Sequence, residues 1–399
     1  MKRGIWLCSL GLVLVFALIP GYGYCAPVVD KWELPFINAW TGPAAGYGVQ
    51  CDYFQTTAVE EINTSGGIAG KPLVVQKCDE AMDPTRAASC MKKAVEKSLV
   101  VLGPMTSLST QVAAPIAAKA EVMAIPPVGG WETIKDSRPW AVVLQVPNIR
   151  RAEFMMNTWV DRNPGIKKVV MLGVPTVAQW KSYGLQQKEV LEKKGVTVLD
   201  NIDVAAGAVD VSSVVIRALK AEPDGIVLRS FPADTVRIVS ELEKRGFIKK
   251  ERIFVHASAD APELYSMSAE KGNVMNGVYI GAFSVPVDTP TYRKLLDGFR
   301  QIKGQENSAK LMWGDTFYVG TYLIKAAIEK TGVSGDSSKL REERVKIRDF
   351  INSVKDFDSK IWGPISALPD GSFSIPIFFM QIRDNKPVIL TSSRDFFKK

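Results

Sequence analysis

Residues 40–84 decide the fold of this chain: WTGPAAGYGVQCDYFQTTAVEEINTSGGIAGKPLVVQKCDEAMDP. Residues Val49–Ile62 carry apolar side chains at helical spacing, and a Gly-Gly pair follows as a helix stop. The run PLVVQKC then predicts a buried strand, and an Asp-Pro pair supplies the N-cap and first-turn proline of a second helix. These signals predict a βαβ unit whose first turn, at Trp40, lies where a small molecule can bind.

The same alternation of short apolar runs and helical patterns continues to the end of the chain. Strands are predicted at 34–40, 72–78, 98–104, 121–127 and 140–147, and then at 167–174, 196–204, 225–231, 252–258 and 276–285. Three helices are predicted within 290–356, followed by a last β segment at 362–382 with an Asp-Gly hairpin turn. Alternating strands and helices predict an α/β protein with two parallel sheets and a cleft that closes by hinge motion.

The first 26 residues have the three parts of a secretory signal peptide. Lys2 and Arg3 give a positive start, Ile5–Ile19 is almost wholly apolar, and small residues before position 26 allow cleavage. The apolar run is shorter than the about 20 residues that a membrane span needs. We therefore expect export to the periplasm, and the residues before Cys25 argue against a lipid anchor there.

Composition narrows the classes of function. The chain has 399 residues and a net charge of +8, but its basic residues are scattered among acidic ones, which argues against nucleic-acid binding. The sequence lacks a GxSxG elbow, a phosphate-binding loop and an HExxH motif, so we expect no enzyme and no cofactor. About 370 mature residues suggest two domains of ordinary size.

Cysteine and histidine are too few and too widely spaced for a metal site. Of the cysteines beyond the signal, Cys78 ends a predicted strand and Cys90 lies in the next helix, so these two are the best candidates for a disulfide. Cys51 is expected to be buried and unpaired. One histidine, His256, leaves no metal-ligand pattern.

Ligand-binding residues in an open α/β fold stand where strands lead into helices. In the first half, Ser107 opens a helix whose free N–H groups could receive a carboxylate, although Ser107 or Ser109 could equally serve only as a cap. A Gly-Gly pair lets a ligand approach the backbone, or forms an ordinary turn. The candidates in this half are Trp40, Tyr47, Ser107, Val128 and Gly130.

The second half offers a more polar and more aromatic set. Arg229 follows a buried strand and must either pair with a carboxylate of the protein or face the cleft, because a buried unpaired charge is costly. His256 stands at a strand end and could be structural, and Trp180 could simply pack its helix. The candidates here are Trp180, Arg229, Phe231, His256 and Asp260, with Tyr183 beside them.

Taken together, these segments resemble the periplasmic leucine/isoleucine/valine-type solute-binding proteins of ABC importers. The resemblance rests on TGPAAGYG, EEINTSGGIAGKPL, CDEAMDP, TSLSTQVA, GVYIGAF and WGPISALPDGSF, in the order of the family. It implies the type I periplasmic-binding-protein fold, two Rossmann-like lobes joined by three crossovers. Lobe 1 would comprise 27–147 and 284–357, and lobe 2 would comprise 148–283 and 358–399.

The resemblance also implies ligand positions at Tyr47, Ser107, Val128, Gly130, Trp180 and Phe231. The acidic residue that holds an amino acid's ammonium in this family falls on Ser258, and the nearest carboxylate is Asp260. A family threonine is replaced by Gly130, and the family disulfide positions fall on Met82 and Thr106, so that bridge is absent.

These departures remove a receptor for a cation and add donors and flat surfaces for an anion. They lead to the hypothesis of a carboxylate ligand with an aromatic or apolar body, captured by a monomer that delivers it to an ABC permease. A branched-chain amino acid held by Asp260 is the second hypothesis, and a short amide or urea the third. A sensor subunit of a signalling receptor would share the same fold.

Overall fold

The computed structural model describes residues 30–42, 44–127, 133–175, 178–282, 289–303, 314–394 and 396. The predicted signal peptide, Val128 and Gly130 lie outside the described residues. Among the helices of these ranges, none combines the length and the apolar character that crossing a membrane requires.

The first lobe is built on a parallel sheet of four strands in the order β2-β1-β3-β4. Its elements are β1 (Trp32–Asn38), α1 (Ala45–Thr64), β2 (Leu73–Asp79), α2 (Pro84–Val95), β3 (Val100–Leu102), α3 (Ser107–Lys119) and β4 (Met123–Ile125). The helix and strand predicted from residues 40–84 are therefore confirmed. The carboxyl ends of these strands meet at one edge of the sheet, which is where the first-half candidates stand.

The second lobe contains a mixed sheet of seven strands in the order β13-β12-β9-β8-β7-β5-β6. Its first elements are α4 (Asn148–Arg162), β5 (Lys168–Gly173), α5 (Ala178–Lys193), β6 (Thr197–Asp203), α6 (Ser212–Lys220), β7 (Gly225–Arg229), α7 (Pro232–Lys244), β8 (Ile253–Val255), α8 (Pro262–Glu270) and β9 (Tyr279–Gly281). Strands β5 to β9 pair in parallel, as the alternating pattern predicts.

The chain then returns to the first lobe before it closes the second sheet. The remaining elements are α9 (Pro290–Phe299), α10 (Gly314–Thr331), α11 (Leu340–Ser353), β10 (Phe357–Asp358), β11 (Pro364–Ile365), β12 (Phe378–Arg383) and β13 (Lys386–Ser392). Helix α10 packs along α1, and β12 and β13 form an antiparallel pair at the edge of the second sheet. The predicted Asp-Gly turn is present, because Gly371 N donates to Leu368 O and the chain pairs across it.

The apolar run 140–147 is not a strand, which corrects the sequence-based prediction. It makes only one isolated bridge, between Ala124 and Ala141, and Val143 N donates to Gly371 O on another segment. Val142 and Leu144 are nonetheless buried. A continuous apolar run reports burial rather than backbone conformation, so a buried connecting segment has the same sequence signature as a short strand.

Local hydrogen bonds explain why the decisive stretch folds as it does. The Asp83 carboxylate accepts from Thr85 N at 2.7 Å and Arg86 N at 3.2 Å, which caps α2 ahead of Pro84. A side chain at Gly67, which has φ +77°, would collide with the carbonyl of Lys71. The connection between α1 and β2 therefore passes close to itself just before β2, at a position that only glycine fits.

The cap on α2 supports a stability prediction. Replacing Asp83 by alanine should lower the free energy of unfolding by about 1 kcal/mol, because the first-turn N–H groups lose their acceptor. Urea unfolding followed by circular dichroism measures the change. Asp83→Asn keeps an acceptor oxygen and is the matched control. Equal stability of the alanine and asparagine variants would contradict the capping role.

Cys78 at the end of β2 and Cys90 in α2 are joined by a disulfide, with their Cα atoms 5.8 Å apart. Cys51 on α1 is buried and free, and burial raises the pKa of its thiol well above the ordinary value. The bridge ties α2 to the carboxyl end of β2, next to the turn that contains Asp79 and Glu80.

Candidate functional site

Four aromatic rings meet at the carboxyl end of the second sheet. Trp180 and Tyr183 come from the first turns of α5, Phe231 from the turn between β7 and α7, and His256 from the end of β8. The Trp180 and Phe231 ring centroids are 4.8 Å apart, and His256 lies 6.0 Å from Trp180 and 4.9 Å from Tyr183. Phe231 is 42% exposed and Trp180 is half-buried, whereas Tyr183 and His256 are buried. The group, called here the aromatic cluster, offers a flat apolar surface to a ligand.

His256 in this cluster is neutral. Its Nδ1 accepts from Ser258 N at 3.2 Å and lies 2.8 Å from Ser258 Oγ, so the ring hydrogen belongs on Nε2. Burial lowers the pKa of His256 well below its ordinary value, and the charges of Arg151 and Arg229 lower it further. The imidazole therefore acts as a polar aromatic group and not as a cation at pH 7.

Arg229 is buried within the second lobe, at 3% exposure. Its guanidinium packs against the two glycines at 173 and 184, where any side chain would collide with it. It donates to Asn201 Oδ1 at 2.8 Å and to Gln187 Oε1 at 3.4 Å. Its hydrogen-bond partners are thus amide oxygens, an arrangement different from both that the sequence analysis considered. Burial lowers the pKa of Arg229 to about 10, although the nearby charge of Asp203 acts to raise it, and this leaves Arg229 charged at neutral pH.

Arg151 is a second buried cation near the cluster, and the sequence analysis missed it. It lies in the first turn of α4, directly after the buried connecting segment, and its Nη2 donates to Val146 O at 3.2 Å. Arg151 lowers the pKa of His256 more than Arg229 does. In sequence it looked like one of many scattered basic residues of a solvated helix face. Only its position at the start of a helix behind a buried segment could have distinguished it.

The carboxylate of the acidic candidate, Asp260, is hydrogen-bonded within the second lobe. Its Oδ1 accepts from Tyr265 Oη at 2.6 Å, and the residue is 2% exposed. Ser258, where the sequence resemblance predicts the family's acidic residue to fall, has its Oγ 3.2 Å from Ser230 O. The surface at the end of β8 is therefore lined by a serine and a neutral histidine, and the nearest carboxylate is bound to a tyrosine.

On the first lobe, the start of α3 is capped by Thr106. Thr106 Oγ1 accepts from Ser109 N at 3.3 Å and donates to Ser109 Oγ at 2.9 Å. The alternative in which Ser107 or Ser109 is the cap is therefore wrong. Ser107 is the first residue of the helix and is half-buried. Its hydroxyl and the first backbone N–H groups of α3 form a receptor for an anionic group.

The two aromatic candidates of the first lobe have different surroundings. Tyr47 is 44% exposed in the first turn of α1. Trp40 packs edge-on against Phe36, with ring centroids 5.2 Å apart, and Lys77 Nζ lies 5.4 Å from its ring. Its backbone N–H donates to Asp79 Oδ1 at 2.9 Å. The contacts of Trp40 thus lie within the first lobe.

The structure gathers the second-lobe candidates Trp180, Phe231 and His256 into one cluster. It places Tyr47 and Ser107 on the carboxyl edge of the other sheet. Within the described ranges, no group of three or more His, Cys, Asp or Glu side chains could hold a metal ion.

Two α/β lobes, each with polar and aromatic groups at the carboxyl edge of its sheet, define the class of two-lobed ligand-binding proteins. The chain belongs to the periplasmic binding protein family, whose model matches residues 31–387. The type I fold with two lobes, predicted from sequence, is confirmed.

The chain is similar both to binding proteins for branched-chain amino acids and to a binding protein for an aromatic acid. The chain is 24% identical to the Leu/Ile/Val/Thr-binding protein of Salmonella typhimurium over 78% of this chain and 83% of that protein. A Streptococcus pneumoniae binding protein in complex with isoleucine has a TM-score of 0.69 at 21% identity, covering 91% of this chain and 98% of its own. An R. palustris solute-binding protein in complex with 4-hydroxybenzoate has a TM-score of 0.70 at 17% identity, covering 91% and 97%.

Proposed function

We propose that this protein captures an aromatic carboxylate between its two lobes and delivers it, in the periplasm, to the permease of an ABC importer. The observation that carries the proposal is the aromatic cluster, with Trp180 and Phe231 presenting ring faces beside a neutral His256. The charges of Arg229 and Arg151 near this cluster favour a ligand that carries a negative charge. The R. palustris relative bound to 4-hydroxybenzoate supports the same ligand class.

Each lobe would hold a different part of the ligand. The carboxylate would bind at the start of α3, where Ser107 Oγ and the first N–H groups of the helix are donors. The ring would lie on Trp180 and Phe231, with Tyr47 on the opposite wall. Contacts to both lobes favour the closed form, so binding shifts the population toward closure. We propose the lobe division 27–147 with 284–357 against 148–283 with 358–399, and a monomer as the working unit.

A branched-chain amino acid is the second candidate, because the Salmonella relative is a Leu/Ile/Val/Thr-binding protein. Its ammonium would need a carboxylate at the end of β8. Ser258 occupies that position, and the Asp260 carboxylate already accepts a hydrogen bond from Tyr265. An ammonium bound there without a carboxylate partner would leave a buried charge uncompensated. The arrangement therefore favours the aromatic acid.

Calorimetric titration with benzoate, 4-hydroxybenzoate and leucine tests the ligand class. We expect 4-hydroxybenzoate or benzoate to bind at least a hundredfold more tightly than leucine, a difference of about 2.7 kcal/mol. Benzamide, which keeps the ring and loses the charge, is the matched control and should bind weakly. A response to leucine alone would overturn the proposal in favour of the second candidate. Uptake of the same acid by cells with and without the gene would separate an importer from a sensor.

A further inference from the structure

Glu80 is a buried carboxyl group directly beneath the start of α3. It follows the last residue of β2, and its Oε1 accepts from Thr106 N at 2.9 Å, one residue before the helix begins. The residue is fully buried, and its Oε2 makes no hydrogen bond within the described part of the chain. A carboxyl group with one oxygen left unpaired in the interior strongly favours its neutral form.

The surroundings of Glu80 supply little positive charge. Burial raises the pKa of Glu80 to about 7, against the hydrogen bonds from Ser109 and Thr106, which lower it. Asp79, the neighbouring residue, raises it further, and the charge of Arg86 at the start of α2 is already paired with Asp79 at 3.1 Å. Glu80 is therefore close to half protonated at neutral pH.

Two further groups on other elements face this region. Cys51 on α1 is neutral because burial raises the pKa of its thiol, and Glu80 contributes to that rise. Asp315 on α10 also raises the pKa of Cys51, and Asp315 Oδ2 accepts from Trp362 Nε1 at 3.1 Å. Neither α1 nor α10 brings a cation to Glu80 among the contacts of the described residues.

We propose that Glu80 takes up a proton when a ligand carboxylate binds at the start of α3, so that anion and proton are captured together. This inference rests on the proposed function, because it needs the ligand's carboxylate at Ser107. The two carboxyl groups would share one helix terminus, with Thr106 N holding Glu80 from one side and the ligand approaching from the other. Two like charges at such a site do not both stay ionised. The proton comes from solvent and is released when the ligand leaves.

Coupling between proton uptake and ligand binding makes the affinity for the carboxylate fall as pH rises. Below pH 6, Glu80 is already protonated in the free protein, so binding takes up no proton and affinity is highest. As pH rises through 7, a growing share of the free protein has an ionised Glu80, so binding takes up a fraction of a proton on average and affinity falls. If the bound protein holds the proton one pKa unit more tightly than the free protein, the total loss is about tenfold.

The test is calorimetry with 4-hydroxybenzoate and benzoate at pH 6.0, 7.0 and 8.5, in two buffers of different ionisation enthalpy. We expect the native protein to take up roughly 0.4 proton per ligand at pH 7.0 and to lose about sevenfold in affinity from pH 6.0 to 8.5. Glu80→Gln keeps an oxygen acceptor for Thr106 N and should bind with equal affinity across this range. Glu60→Gln removes an exposed carboxylate from α1 and should behave like the native protein.

The outcomes separate the two proposals. Tight binding of either acid with no proton uptake at pH 7.0 would overturn the role of Glu80 and leave the proposed function standing. Absence of binding by both acids at pH 6.0, with leucine bound instead, would overturn the proposed function and this inference with it. Because proton uptake is measured on the native protein, the test holds even if Glu80→Gln does not fold.

Discussion

Phe231→Ala should weaken binding of 4-hydroxybenzoate at least thirtyfold, or by about 2 kcal/mol. The ring of Phe231 is 42% exposed and lies 4.8 Å from Trp180, so it is the part of the aromatic cluster that a ligand ring would cover. Loss of one stacking partner costs about 1–3 kcal/mol for aromatic ligands, and truncation also opens the neighbouring face of Trp180 to water. Calorimetry of the native and variant proteins measures the change.

The stability of the protein should change little in this variant. Phe231 is half open to solvent, and its backbone role at the start of α7 does not depend on the ring. Ile248→Ala, which removes a side chain that is 70% exposed in the same lobe, is the matched control and should bind normally. Unchanged affinity in Phe231→Ala would show that the ring does not meet the ligand.

Arg229→Met should weaken carboxylate binding about thirtyfold while leaving a neutral analogue unaffected. Arg229 is buried and its guanidinium donates to amide oxygens, so no direct ion pair among the described residues neutralises its charge. At an effective dielectric constant of about 20, an attraction of about 2 kcal/mol needs the ligand carboxylate within about 8 Å of this charge, and that is the condition the variant tests. The comparison of 4-hydroxybenzoate with 4-hydroxybenzamide measures that electrostatic part.

Two controls make the result specific. Arg383→Met removes an exposed positive charge from the same lobe and should change neither affinity. A melting curve of Arg229→Met checks that the new side chain still packs against Gly173 and Gly184. Equal losses for the acid and the amide would mean that Arg229 shapes the lobe without selecting for charge.

The parts of the fold that could be predicted from the sequence are those set by interactions between residues close together in the chain. The cap at Asp83, the stop at Gly67 and the Asp370-Gly371 turn each depend on a few neighbouring residues, and each is where it was expected. The buried run 140–147 was misassigned because apolar composition does not distinguish a strand from a buried connection.

The site was only partly predictable for a related reason. Trp180, Phe231 and His256 stand at strand ends, a position that the topology alone identifies. Arg151 and Glu80 owe their importance to burial and to partners far along the chain: Glu80 bonds Thr106, and Arg151 influences His256. No local pattern indicates such long-range electrostatic contacts, so the sequence analysis singled out neither residue.

Because of the disulfide between Cys78 and Cys90, the final structure of the first lobe depends on the redox state of the compartment that holds the chain. It clamps α2 to the strand that ends beside Asp79 and Glu80, so the turn that supports the start of α3 is braced by a covalent bond. Such a bond forms and persists only in an oxidising environment. A chain in a reducing environment therefore keeps this brace open, and the turn beside Asp79 and Glu80 gains its covalent support only where thiols are oxidised.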